Sequence, residues 1–598
     1  MSKKVLERKD IPQELTWDLT LMYSNTDAWE EEFASLTELV EKCTVFQGRL
    51  AESAETLRDA LQALDNMERT LDKLYTYAHL LHDQDTGDSA GRSLENRSSA
   101  RAAEISAECA WFEPELLAID EKVMQKFLQE EVLQFYKPSI EELFRAKKHT
   151  LSAPEERILS ALSDVLGAPG EIYETLTDAD MRFPEVRNEK GKRLELTHGS
   201  YRRLMESNDR NVRKRAFKAM FESYRNIINT CASTLDSTVK RHVASSRLRH
   251  YDSALAQALF ADELPEKLYL DLIDSVHKHI PELTEYLQFR KKKLKLKKLD
   301  MYDLYNPLKA AEERIFTFEE AKTMVLEAFA VMGGEYVNTV KRAFDERWID
   351  VAECRRKRSG AYSSGCYDSV PYLLLNFNGT LNDVFTLAHE LGHSLHSYFS
   401  NHTQQYHYAH YPIFAAEIAS TTNELLLHDH LMKKYADDPD MQSTLLVHLI
   451  DEVRACIYRQ TMFAEFELDI HRLQEKGTPL TAELLNERYY KLNDLYYGNA
   501  VKADELIQYE WARIPHFYYN FYVFKYATGL SAAMKFASNI LSGDTALRDC
   551  YYGFLKAGDS KHVLEILCDA GVDFVNGSVV EDALTGFGKM VKQLKSVL

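Results

Sequence analysis

Apolar positions recur at three- and four-residue intervals over residues 29–43, 53–85 and 88–125, the period of helices that bury one face. Their connectors are short, so the segments are expected to pack as antiparallel helices. The same period continues to about 165, with boundaries at Pro138 and at Pro154, where a first helical turn tolerates proline. Residues 1–20 read as an extended lead-in anchored by Trp17 and Leu19. Near 180 the period changes. TDADMRFPEV and KRLELTHGSY alternate on either side of Asn188–Gly191, which predicts a small hairpin over 180–198.

Helical texture resumes at 200 and runs to about 300, followed by a tyrosine-containing connector at 299–311 and a helix reaching 333. A short helix at 340–350 is then expected, with a short strand at Val351–Cys354. Gly360–Gly365 and Pro371–Phe377 read as two strands, or a strand and a loop, tightly joined. NGTLND at 378–383 should cap the following helix, with Asn382 or Asp383 as the cap. Beyond 441 the pattern is again helical. Only 23 glycines and 14 prolines in 598 residues agree with a mainly α chain that carries a small sheet.

Charge narrows the function. A net charge of -20 repels phosphate backbones and anionic membranes, so neither nucleic acid nor a membrane is an expected partner. The basic run Lys291–Lys298 reads as a solvated helix end. The first 19 residues carry positive charge but lack a following apolar core, and no apolar run approaches eighteen residues. Eight scattered cysteines without a CxxC pair suit a reducing compartment, so a cytoplasmic location is expected.

The candidate chemistry centres on VFTLAHELGHSLHS at 384–397. On a helix, His389 and His393 project from one face one turn apart, where they can share a metal ion. Glu390 beside them is placed to act as a general base on water at that metal. Val384, Phe385, Leu387, Ala388 and Leu391 supply an apolar surface, and Gly392 is expected to keep space open between the histidines. Zinc usually takes three protein ligands. The third-histidine pattern HExxHxxGxxH is absent, which favours a glutamate. Glu417, flanked by Ala415, Ala416, Ile418 and Ala419, is the candidate because a carboxylate on an apolar face is costly unless coordinated. Glu424 could instead orient a ligand. His396 is read as a lining residue, and His402, His407 and His410 as structural or exposed loop residues.

Two further stretches bear on a substrate. Gly360, Ala361, Tyr362 and Ser363 precede the metal helix and could form an open strand edge for an extended peptide, or simply a small-residue turn. His516 with Tyr518, Tyr519, Tyr522 and Tyr526 could be core packing, or hydroxyl and imidazole donors to an oxyanion.

AHELGHSLH at 388–396, FAAEIAST at 414–421, GAYSSG at 360–365 and HFYYNFYVFKYATG at 516–529 together resemble oligoendopeptidase F, of the same superfamily as thimet oligopeptidase. The resemblance implies a mainly α, two-lobed metallopeptidase with a deep central channel and a small sheet beside the metal helix. It implies an N-terminal helical region at 1–110, an oligopeptidase N-terminal-type domain at 111–198 and a catalytic domain at 199–598. It carries over one zinc ion per chain held by His389, His393 and Glu417, with Glu390 catalytic. His516 and tyrosines among Tyr519, Tyr522 and Tyr526 would approach the substrate carbonyl. Their spacing departs from the thimet branch, and Tyr526 and Tyr519 are favoured. The implied activity is endopeptidase cleavage of short peptides. An aminopeptidase, a carboxypeptidase or a non-catalytic peptide-binding protein are the alternatives, and oligomeric state is not readable.

Overall fold

Side-chain caps start the three long N-terminal helices. Asn25, Ser53 and Asp88 accept backbone N–H bonds at the heads of Thr26–Thr44, Ala54–Asp83 and Ser89–Cys109. Their facing stripes bury Trp29, Leu36, Leu74 and Leu80, and the Trp29 indole donates to the Leu74 carbonyl at 3.0 Å. This computed structural model describes residues 5–308 and 314–598. Residues 1–4 of the expected lead-in and 309–311 of the expected connector lie outside them.

The chain forms two compact units, each assembled from three segments. The first comprises Met1–Lys148, Glu313–Leu431 and Phe536–Gly571; the second comprises His149–Glu312, Met432–Lys535 and Val572–Leu598.

In the first unit a three-stranded sheet lies against the N-terminal helices. Tyr372–Phe377 is its central strand, parallel to Ile349–Ala352 and antiparallel to Tyr362–Ser364. Tyr372 to Leu375 are all buried, as expected of a strand covered on both faces, and Tyr372 and Leu374 join the core of Trp29 and Leu74. Asp350, fully buried on the neighbouring strand, pairs with Lys357 at 2.7 Å and accepts from Arg8 at 2.7 Å, which ties the N-terminal lead-in to the sheet.

Three boundaries differ from the sequence pattern. The helix expected at 340–350 spans Gly334–Asp345, because the chain reverses at Arg347 with φ +59° and the Trp348 N–H turns back to the Ala343 carbonyl. The strand expected at Val351–Cys354 therefore begins earlier, at Ile349. The metal helix, Leu381–Thr403, is capped by Thr380 rather than Asn382 or Asp383. Asp383 is the third residue of a reciprocal capping box, its carboxylate accepting from the Thr380 N–H at 2.9 Å.

In the second unit the hairpin forms as Glu185–Arg187 paired with Arg193–Glu195, closed by Gly191 at φ +71°. Around it stand long helices, among them Arg210–Asn226, Ile228–Leu248, Gln460–Glu475 and Ala482–Tyr497. Leu299–Asp300 pairs in parallel with Val501–Lys502. No helix among the described residues is long and apolar enough to cross a membrane. The eight cysteines are free thiols.

Candidate metal centre

One helical turn separates His389 from His393, and their Nε2 atoms lie 3.2 Å apart. Glu417 Oε2, from the next helix, Ile413–Lys434, stands 3.4 Å from the first and 3.5 Å from the second. Donors held at about 2.0–2.1 Å around tetrahedral zinc stand roughly 3.3–3.4 Å from one another. The three atoms thus form a near-equilateral face of the right size for that ion, with the imidazole and carboxylate chemistry it prefers.

What brings the glutamate helix this close is Gly392. A Cβ there would lie 2.6 Å from the Ala419 carbonyl oxygen and 2.8 Å from the Ser420 nitrogen. The glycine permits a helix crossing; it does not serve to keep space between the histidines. Asn423 fastens the crossing by donating to the Ala388 carbonyl at 3.1 Å, while its own carbonyl accepts from the Tyr336 hydroxyl at 2.7 Å.

The reason for expecting Glu417 also needs correcting. Its side chain is 56% exposed, so the expense of a buried carboxylate does not select it. Convergence with the histidines does. Glu424, at 17% exposure, is the less exposed of the two, and it accepts from the His389 Nδ1–H at 2.6 Å. That bond fixes the imidazole tautomer and leaves Nε2 directed at the triangle.

Burial alone would pull the His389 pKa down, but bonds to Glu417 and Glu424 outweigh it and raise the imidazole to about 10. Glu417 is held well below the usual carboxylate range by His389 and His393. Glu390 is buried, and its pKa is raised by desolvation against the pull of the two histidines. That moves it in the direction a general base near neutral pH requires.

The other histidines stand apart from the triangle. His396 is fully buried, stacked on Tyr411 at 3.7 Å, and burial pushes its pKa down to about 3. His402 lies in the last turn of the metal helix, not in the loop after it. His407 bridges Asp65 and Ser139 at 2.9 Å each, and His410 is exposed.

Gly360, at φ +90°, and Ala361 lead into Tyr362–Ser364, the outer strand of the sheet. Ser394 donates to the Glu390 carbonyl at 2.9 Å and meets the Ser363 hydroxyl at 2.8 Å, which couples the strand to the metal helix. Tyr362 is fastened in the opposite direction, its hydroxyl donating to Asp83 at 2.9 Å. Gly360, Ala361, Phe377, Asp383 and Thr386 line a cavity of about 230 Å³.

His516, Tyr519, Tyr522 and Tyr526 belong to the second unit and do cluster. Tyr526 Oη lies 3.3 Å from His516 Nε2, and the Tyr519 and Tyr522 rings lie 5.6 and 6.3 Å from the imidazole. Tyr519 is half exposed, whereas Tyr518 turns away to stack on Tyr173 and bond Thr234. Burial lowers the His516 pKa.

A helix that offers HExxH, joined by a carboxylate from the next helix, defines the class of zinc-dependent peptidases. Residues 203–585 match the model of Peptidase family M3 and residues 115–183 that of Oligopeptidase F, and the chain belongs to this oligopeptidase F branch of the M3 peptidases. It is 40% identical to Oligopeptidase PepF of Bacillus subtilis, over 99% of this chain and 88% of that one. It is 42% identical to Group B oligopeptidase PepB of Streptococcus agalactiae, over 99% and 98%. Oligoendopeptidase-F from Enterococcus faecium superposes with a TM-score of 0.73 at 35% identity, over 96% of this chain and 99% of that one.

Proposed function

We propose that the chain is a zinc-dependent endopeptidase that hydrolyses internal bonds of short, unstructured peptides. The observation that carries this reading is the 3.2–3.5 Å triangle of His389, His393 and Glu417 with buried Glu390 beside it. One zinc ion per chain would be held by those three residues. Bound there, it supplies a Lewis acid that polarises a carbonyl and makes water nucleophilic at neutral pH.

Glu390 takes the proton from the attacking water and passes it to the departing amide nitrogen. Glu424 holds His389 in the tautomer that presents Nε2. His516, Tyr519, Tyr522 and Tyr526 donate hydrogen bonds to the oxyanion that develops on the scissile carbonyl, Tyr526 and Tyr519 foremost. Support for this comes from their clustering and from the resemblance of the 516–529 segment. Gly360, Ala361, Tyr362 and Ser363 hold the peptide by main-chain pairing, which is indifferent to side-chain identity. Free thiols and an acidic surface suit a cytoplasmic peptidase with neither nucleic-acid nor membrane partners.

The test is the product mass spectrum of a mixture of terminally blocked peptides, with and without chelator. Internal cleavage that stops with chelator is expected. Products only from unblocked counterparts of the same peptides, trimmed from their ends, would make the enzyme an exopeptidase, and no products from either set would make it a binding protein.

A further inference from the structure

Asn520 and Phe521 have φ of +50° and +59°, the only adjacent non-glycine residues of positive φ among the described residues. The left-handed region disfavours L side chains, and a phenylalanine there is a conformational outlier that persists only if its surroundings hold it. The pair sits between Tyr519 and Tyr522, in the turn that joins the Pro515–Tyr518 segment to the helix Phe524–Leu541.

The holding group lies beneath. Phe521 N–H donates to Glu467 Oε1 at 2.6 Å, with both residues buried. The Phe521 ring packs on His471 at 4.4 Å and edge-on against Tyr269 at 5.6 Å. Glu467 and His471 are one turn apart on Gln460–Glu475. His471 Nδ1–H donates to the Glu467 carbonyl at 2.8 Å, and His471 Nε2 accepts from His242 Nδ1–H at 3.1 Å. Burial keeps both imidazoles neutral, lowering His471 to about 4 and His242 well below its ordinary value. Glu467 Oε2 has no partner among the described residues, so the Phe521 amide is the bond that the buried carboxyl makes. A fully buried carboxyl with a single partner is expensive to keep, and packing alone would be served by leucine or methionine.

We infer that Glu467 is a positioning residue: by accepting from the Phe521 amide it locks the left-handed Asn520–Phe521 turn, and so sets Tyr519 and Tyr522 on either side of it relative to His516. The inference rests on the proposed donor role of that cluster.

Three variants test it, read by kcat and KM on a blocked peptide, zinc content, and amide exchange of the 517–523 segment. Glu467→Leu removes the acceptor and should lower kcat about 10- to 100-fold with KM within about twofold, as expected when reacting groups are misplaced by an ångström or so. Zinc content should stay at the wild-type value while Phe521 amide exchange accelerates. Glu467→Gln keeps a carbonyl acceptor and should recover most of the loss. Asn520→Val opposes the positive φ from a partly exposed position. It should lower kcat in the same way, and it decides the matter alone if Glu467→Leu does not fold.

The inference is overturned if Asn520→Val leaves kcat and amide exchange unchanged, or if a folded Glu467→Leu behaves like Glu467→Gln. His516→Ala and Tyr526→Phe separate the two levels. If they lower kcat while Asn520→Val does not, only the positioning inference fails. If they too leave kcat unchanged, the donor reading has failed and takes this one with it.

Discussion

Gly392 on the metal helix and Ser420 on the glutamate helix cross so closely that a Cβ on the glycine would lie 2.8 Å from the serine nitrogen. Alanine would gain up to about 1 kcal/mol of helix propensity over glycine. Overpacking rigid backbone costs about 1–3 kcal/mol, so the clash wins. Gly392→Ala should therefore destabilise the protein and move Glu417 away from the imidazoles, weakening zinc at least tenfold (order of magnitude, as for misplaced ligand support). Competition with a chromophoric chelator measures this, and wild-type affinity in Gly392→Ala would show that the crossing does not set the metal triangle.

The histidine pair is legible in sequence because its geometry is local: four residues on one helix dictate one face. Glu417 is legible only in part. Its neighbours Ala415, Ile418 and Ala419 mark a packed helix, but they are buried because that helix crosses at Gly392, while the carboxylate itself points out to the histidines. Thr380 shows the same limit at closer range, since Thr380, Asn382 and Asp383 all carry capping chemistry and only the backbone decides which one starts the helix. The Asn520–Phe521 turn is invisible in sequence, because neither residue is the glycine that would ordinarily announce a positive φ. The interleaved units are equally hidden, since periodicity reports which face a helix buries and not against which partner.

Glu424 supplies a second measurement. Its 2.6 Å bond to His389 Nδ1 makes it an orienting group, and outer partners of this kind are worth about 10- to 100-fold in metal affinity or activity. Glu424→Ala should weaken zinc by that factor, and saturating zinc should restore part of the lost turnover. Glu417→Ala, which removes one vertex of the triangle, should weaken zinc further than Glu424→Ala. The reverse order would mean that Glu424 is the ligand.

Glu390→Gln removes the base and leaves the three converging donors untouched. Loss of a general base typically costs about 10²- to 10⁴-fold, so turnover of an internally quenched peptide should fall by that much with zinc content unchanged. Near wild-type turnover would rule Glu390 out, and loss of zinc would implicate it in holding the metal.

Glu467 makes stability depend on pH in a direction opposite to that of a salt-bridged carboxylate. Burial raises it from an ordinary 4.5 to about 8, so the folded chain keeps a proton between those values that the unfolded chain has released. Where the folded state binds more protons, unfolding free energy falls as pH rises, by at most about 1.4 kcal/mol per pH unit for one group. Stability contributed by the protonated form is therefore fully present below about pH 4.5, is lost progressively up to about pH 8, and is level beyond. Other groups that titrate over the same range are common to wild type and Glu467→Gln and largely cancel in the difference. Urea unfolding of both proteins at about pH 5.5 and about pH 8.5 should show wild type losing on the order of 1–4 kcal/mol more than Glu467→Gln. Parallel losses in the two proteins would mean that the carboxyl is ionised in the folded state, and that the Phe521 amide is held by a carboxylate.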